Sequence, residues 1–349
     1  MKRTLAGLLM VMVLVVAACG DDGDSAASGD ASGDESSDQV AGDGGGAVAA
    51  AEAEWVEHQP GGDCRCADGS EFSFYERSAD PDKVLLYFQG GGACFSEATC
   101  SFTDGTYLVQ ATGPDGGAGG EAGIFDAANP DNPFADWSIV FVPYCTGDVH
   151  IGDNVQEYAE DLTVNHVGYV NASAGLDHVV ENYGDASQVF VAGSSAGGVP
   201  SPLFGGLAAD ALPDAEVAVL ADASGGYPDN PPVNGAIGAL WGTFENVPDW
   251  DATEGLTDED YSIPGLFELA GQEHPDIRFA RYDNAYDEVQ QQFSLLSGIS
   301  GGDVLSIVQQ NEADIEAAGV PIASFIAPGT DHTILAGPAV YSQIGRAHV

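Results

Sequence analysis

The chain has 349 residues, 55 of them Asp or Glu against 8 Lys or Arg, for a net charge of −47. A nucleic-acid partner is excluded, because a polyanion needs a basic footprint. With 44% hydrophobic residues and 47 glycines, the sequence suits one large α/β domain or two small ones with many tight turns. Such an acidic surface stays soluble where salt shortens the Debye length to about 3 Å at 1 M, which fits adaptation to saline water and says nothing of a substrate.

The chain starts with Lys2 and Arg3 followed by an apolar run at 5–18. That run is shorter than the roughly 20 residues of a membrane span, so residues 1–18 are expected to be a signal peptide. It ends in Val16-Ala17-Ala18-Cys19-Gly20, which resembles the lipobox of bacterial lipoproteins, with Cys19 as the lipidated first residue of the mature protein. Residues 19–53 are mostly Gly, Asp, Ser and Ala without an aromatic side chain, a composition that builds no core and is expected to form a solvated tether.

From residue 54 onward, short apolar runs alternate with helical patterns. Residues 83–89, 138–143, 188–192, 216–221, 277–282 and 321–326 read as buried strands, several of them apolar on both faces. Residues 161–183, 196–211 and 304–318 read as helices, the last with Val304, Ile307, Val308 and Ile315 on one face. This alternation predicts an α/β fold with a mostly parallel sheet, covered on both sides, whose functional groups sit at the carboxyl ends of the strands. Residues 224–275, rich in Pro, Gly, Trp and acidic side chains, fit neither pattern and read as an inserted cap. The last six residues, 344–349 (IGRAHV), match one reading frame of a common sequencing adapter, so the natural sequence is expected to be interrupted after Gln343.

Three segments carry chemistry. After the 188–192 strand comes Gly193-Ser194-Ser195-Ala196-Gly197-Gly198, a G-x-S-x-G pattern in the strand-turn-helix setting that such an elbow requires, with Ser195 as the centred serine. After the 83–89 strand comes Gly90-Gly91-Gly92-Ala93-Cys94, where backbone N–H groups could face a developing oxyanion or simply form a turn. A general base is expected downstream of the serine. His348 falls in the adapter-like tail and His274 in the cap, which leaves His332, just past the last strand. Three acids satisfy the order serine, acid, histidine: Asp222, Asp283 and Asp287. Cys64-Arg65-Cys66 is a weak zinc signal, since no second Cys/His pair accompanies it, and neither metal nor cofactor is expected.

Several motifs together resemble the pectinacetylesterase/Notum family: Cys66-Ala67-Asp68-Gly69-Ser70, Gln89 to Cys94 with Cys100, Pro143-Tyr144-Cys145-Thr146-Gly147-Asp148, the Ser195 elbow, and Asn284-Ala285-Tyr286-Asp287. The resemblance implies an α/β-hydrolase fold over residues 54–343 and cofactor-free cleavage of carboxylic esters. It places the nucleophile at Ser195, the acid at Asp287 and the base at His332. It puts the oxyanion donors on Gly91, Gly92 and Ala196, and the substrate side on Tyr144, Asp148 and His150. It also implies the disulfides Cys94–Cys100 and Cys66–Cys145, leaving Cys64 over. Ala93 stands where plant members place tryptophan, so one wall of the acyl pocket is expected to be smaller or differently made. The function implied is an extracytoplasmic, lipid-anchored or secreted esterase that removes O-acyl groups, acetyl foremost, from a polysaccharide. Two rivals are a long-chain O-acyl esterase, as the Notum branch implies, and an inactive glycan-binding lipoprotein on the same scaffold.

Overall fold

The computed structural model describes residues 53–114, 122–300 and 302–343. The signal segment, Cys19, the tether up to residue 52 and the tail 344–349 therefore lie outside the described residues. In chain order the elements are β1 (Val56–His58), β2 (Phe74–Arg77), β3 (Asp80–Phe88), α1 (Glu97–Cys100), β4 (Trp137–Val142), β5 (Asn154–Ala159), β6 (Leu162–His166), α2 (Gly168–Asn182) and β7 (Gln188–Ser194). There follow α3 (Ser201–Ala211), β8 (Glu216–Asp222), α4 (Pro231–Trp241), α5 (Gly265–Glu273), β9 (Arg278–Asn284), α6 (Glu288–Leu296), α7 (Val304–Ala317), β10 (Ile322–Ala327) and α8 (Val340–Gln343).

Eight strands form one sheet in the order β1-β2-β4-β3-β7-β8-β9-β10, and β5 and β6 form a separate hairpin. The sheet is parallel from β4 to β10, with β1 and β2 antiparallel at one edge. This is an α/β-hydrolase-like arrangement, and β3, β7, β8, β9 and β10 all deliver their carboxyl ends to one edge of the sheet.

The central strands are buried on both faces, as their unbroken apolar runs require. Val84, Leu86 and Phe88 of β3 join a core with Val191, Leu203, Phe204, Leu266 and Phe267 from the side of α3 and α5. Leu85 and Tyr87, which point the other way, join a second core with Ile139, Phe141, Phe125, Ile334 and Leu335. Each such side chain contributes about 1.5–3 kcal/mol on burial. The second core also takes in Val340 of α8 and so extends across the segment that follows His332.

Three expected elements differ in detail. Residues 161–183 are not one helix: Leu162–His166 is a strand with alternating burial, favoured by β-branched Thr163 and Val164, and α2 starts at Gly168. Residues 196–211 are interrupted around Pro200, which has no N–H to donate, and a 3-10 turn at Ser195–Gly197 precedes α3. Within 224–275, α5 buries Leu266, Phe267, Leu269 and Ala270 in the main core and belongs to the helix layer.

Candidate active site

β7 ends in a sharp elbow at Ser195, whose φ of +56° lies in the left-handed region. A non-glycine residue held there costs about 1–3 kcal/mol and must be over-determined by its surroundings. The surroundings supply this through close backbone packing. A side chain on Gly197 would overlap the Phe88 carbonyl at the end of β3, so only glycine lets the elbow seat against that strand.

The two neighbouring serines point to different partners. Ser194 is buried, donates its hydroxyl to Asp222 Oδ2 at 2.6 Å and receives the Tyr87 hydroxyl at 2.9 Å. Ser195 instead lies 2.7 Å from His332 Nε2, and His332 Nδ1 lies 2.7 Å from Asp287 Oδ2. A carboxylate only accepts, so Nδ1 carries the proton and Nε2 presents its lone pair to the serine hydroxyl.

Asp287 is fully buried at the N-cap of α6, where Oδ1 accepts the N–H groups of Val289 and Gln290 at 2.9 and 3.0 Å. Its other oxygen accepts the Gln290 amide at 3.0 Å as well as the imidazole. The acid loop and the histidine loop leave adjacent strands, β9 and β10, and are tied by Ala285 N–H to Ala327 O and Tyr286 N–H to Gly329 O.

The other two candidate acids make different contacts. Asp222, at the end of β8, accepts the N–H groups of Ile334 and Leu335 besides the Ser194 hydroxyl, and burial pushes its pKa up to about 6. Asp283 accepts Gly225 N–H and the Gln290 amide on Oδ1, its Oδ2 has no hydrogen-bond partner among the described residues, and burial likewise raises it to about 6. Of the three, Asp287 is the one hydrogen-bonded to His332.

The glycine loop runs directly against the elbow: a Cβ on Gly90 would lie 2.8 Å from Ser195 Cβ. Gly92 has a φ of +84° and abuts the Thr106 carbonyl, a position that tolerates no side chain. Gly92, Ala93, Ser195 and Ala196 share a cavity of about 120 Å³ with Tyr227, Ile237, Trp241, Ile263, Leu266 and Phe293. Trp241 also donates its indole N–H to the Cys94 carbonyl at 2.7 Å, so α4 closes over the loop that carries Ala93.

Tyr144, Asp148 and His150, expected on the substrate side, lie beneath this cavity at 0–1% exposure. His150 donates Nε2–H to the Gln89 carbonyl at 2.9 Å, and burial lowers its pKa to about 4, so it is neutral at pH 7. Tyr144 gives its N–H to Gln89 Oε1 and accepts Val149 N–H on its hydroxyl oxygen. Asp148, raised to about 6 by burial, accepts the Thr146 hydroxyl, His150 N–H and Gly168 N–H, the last capping α2. These bonds hold Val149 and His150 at φ of +50° and +61°, a strained turn whose product is that Val149 and Ile151 line the cavity.

Disulfides join Cys66 to Cys145 and Cys94 to Cys100, while Cys64 is free and half-buried. Cys66 is thus unavailable for the zinc alternative at Cys64-Arg65-Cys66. His166 lies close to Cys94 and Cys100, but the disulfide leaves no thiolate there to bind a metal.

The family model described as pectinacetylesterase matches residues 48–260, more than half of the chain. The chain belongs to the pectinacetylesterase family. The match takes in the glycine loop and the elbow and ends before Asp287 and His332. A search of curated proteins finds no match. Membership makes the chain a carboxylic ester hydrolase by family, and the two disulfides agree with an enzyme exported from the cytoplasm. Among the described residues no helix is long and apolar enough to cross a membrane.

Sequence reasoning did not find Asp222 as an anchor, Gln290 as a bridge between two carboxylates, or Trp241 on the cavity wall. Asp222 had a signal, a carboxylate ending a central strand beside a nucleophile strand. Gln290 and Trp241 had none short of tertiary structure.

Proposed function

We propose that this pectinacetylesterase family member hydrolyses O-acetyl esters on a polysaccharide through an acyl-enzyme. The observation that carries the reading is the chain of two 2.7 Å hydrogen bonds from Ser195 through His332 to Asp287 at a strained elbow. His332 takes the Ser195 proton as Oγ attacks the ester carbonyl, and Asp287 holds the imidazole in the required tautomer and stabilises the imidazolium. The N–H groups of Gly91, Gly92 and Ala196 are the donors proposed for the oxyanion. His332 then returns its proton to the leaving sugar hydroxyl, and water, activated by the same imidazole, releases acetate.

The cavity supports a short acyl group. At about 120 Å³ it is somewhat smaller than the roughly 150 Å³ apolar cavity that holds benzene, which suits acetyl and a few further carbons. Its apolar wall is the observation that favours the second reading, a longer acyl chain, and that reading requires α4 to move away. Hydrolysis rates across acetyl, butyryl, octanoyl and palmitoyl esters decide: a maximum at acetyl or butyryl supports the proposal, and a maximum at palmitoyl replaces it with the lipid-substrate reading. We further propose that lipid on Cys19 anchors the enzyme outside the cytoplasmic membrane, with the acidic segment as a tether.

A further inference from the structure

His58, Glu76 and His178 come from three elements that carry none of the proposed catalytic groups: β1, β2 and α2. In the β1–β2 ladder His58 pairs with Phe74, which makes Glu76 its diagonal neighbour on the same face. α2 lays His178 over that face. Both imidazole Nε2 atoms converge on one carboxylate oxygen, with Glu76 Oε2 3.0 Å from His58 and 3.1 Å from His178. The two rings are 4.5 Å apart between centroids, and His58 stacks on Phe74 at 5.1 Å.

We propose that His58, Glu76 and His178 form a binding site for a divalent transition-metal ion of the zinc type, which clamps the β1–β2 edge of the sheet to α2. Two imidazole nitrogens and one carboxylate oxygen are the ligand set of open zinc sites. Hard cations such as Mg²⁺ and Ca²⁺ prefer oxygen alone. Metal–ligand bonds of about 2.0–2.1 Å place neighbouring tetrahedral ligands roughly 3.3 Å apart, so each imidazole nitrogen needs to move from Glu76 Oε2 by a few tenths of an ångström. On binding, each neutral imidazole turns the Nε2 lone pair to the metal and carries its proton on Nδ1, which at His178 requires the Asn182 amide, whose Nδ2 lies 3.2 Å from that nitrogen, to swing aside.

The surroundings suit a ligating carboxylate. Glu76 Oε1 is occupied by the Tyr183 hydroxyl at 2.5 Å and the Ser78 hydroxyl at 3.0 Å, which fixes the plane of the group and leaves Oε2 for the metal. His58 and His178 line a recess with Gln59, Asp153, Asp177 and Glu181, whose carboxylates attract a cation and whose space admits a water as fourth ligand.

The test is a Zn²⁺ titration of the chelator-stripped full chain against a chromophoric competitor, in millimolar Mg²⁺ to occupy surface carboxylates, followed by Co²⁺ substitution. The expected result is one Mg²⁺-resistant Zn²⁺ equivalent, d–d absorption of four- or five-coordinate Co²⁺, and a raised melting temperature with metal. Affinity should fall about tenfold or more in His58→Ala and in His178→Ala and stay unchanged in Cys64→Ser. His58 stands at the sheet edge, so His58→Ala decides if His178→Ala does not fold. Absence of a Mg²⁺-resistant equivalent, or an affinity indifferent to folded His58→Ala, overturns the proposal.

Discussion

Ser194 donates its hydroxyl to Asp222 at 2.6 Å, and the same carboxylate receives the N–H groups of Ile334 and Leu335 just beyond His332. One buried acid therefore joins the nucleophile strand to the loop that carries the base. Asp222→Asn keeps one acceptor oxygen and turns the other into a donor facing N–H groups. It should destabilise the fold by about 1–3 kcal/mol, the cost of buried unpaired polar groups. Turnover should fall through displacement of His332, and by less than in Asp287→Asn. Denaturant melts and acetyl-ester kinetics on the same preparation check both parts.

Asp287 and Asp283 stand on either side of Gln290, whose amide donates to both at 3.0 Å. Asp287→Asn should fold and lose turnover by up to about 10⁴-fold, because the amide no longer fixes the imidazole tautomer. Asp283→Asn should stay within a few-fold of wild type. If the two effects are exchanged in folded proteins, the acid is Asp283.

Asp283 also gives a pH signature. Burial raises its pKa from 3.8 to about 6, above its unfolded value, so the native state holds the proton more tightly. Its contribution to stability is complete below about pH 4 and is lost as the pH rises through about 6. Asparagine imitates the protonated form. Asp283→Asn should therefore exceed wild type by about 1–3 kcal/mol at pH 7.5, with a smaller margin at pH 4.5, measured by urea unfolding at both values. An equal or larger margin at pH 4.5 would contradict the assignment.

Much of this arrangement was legible beforehand, for physical reasons particular to each segment. The strands around Leu86, Val140, Val191 and Val219 are apolar on both faces because both faces are covered, which leaves no helical period to confuse them. The elbow was legible because Gly193 and Gly197 are demanded by contacts with backbone a few residues or one strand away. The strand at Leu162–His166 was not, since Val164 and Leu162 also fit the apolar face of the helix that follows. Tyr144, Asp148 and His150 were expected to face substrate, and instead they shape the turn that presents Val149 and Ile151. No local pattern separates a polar side chain that meets substrate from one that holds the backbone beneath it.

The net charge of −47 predicts that carboxylate repulsion weakens the fold at low ionic strength. Melting temperature should rise between about 10 mM and 1 M NaCl as the Debye length shortens from about 30 to about 3 Å. A flat or falling midpoint would contradict this.

Lipidation at Cys19 predicts that the wild-type chain, expressed in a bacterium with lipoprotein processing, sediments with membranes and that Cys19→Ala does not. Equal partition of both into the soluble fraction would remove the anchor from the account.

The most direct test of the central claim is steady-state hydrolysis of an acetyl ester by Ser195→Ala, on protein whose melting temperature matches wild type. The account predicts a loss of turnover on the order of 10⁶-fold, the scale of a missing triad serine, with the fold unchanged because, among the described residues, the Ser195 hydroxyl is hydrogen-bonded to His332. Retention of more than about a tenth of wild-type turnover would contradict it, because an effect so small is far below what loss of a nucleophile causes.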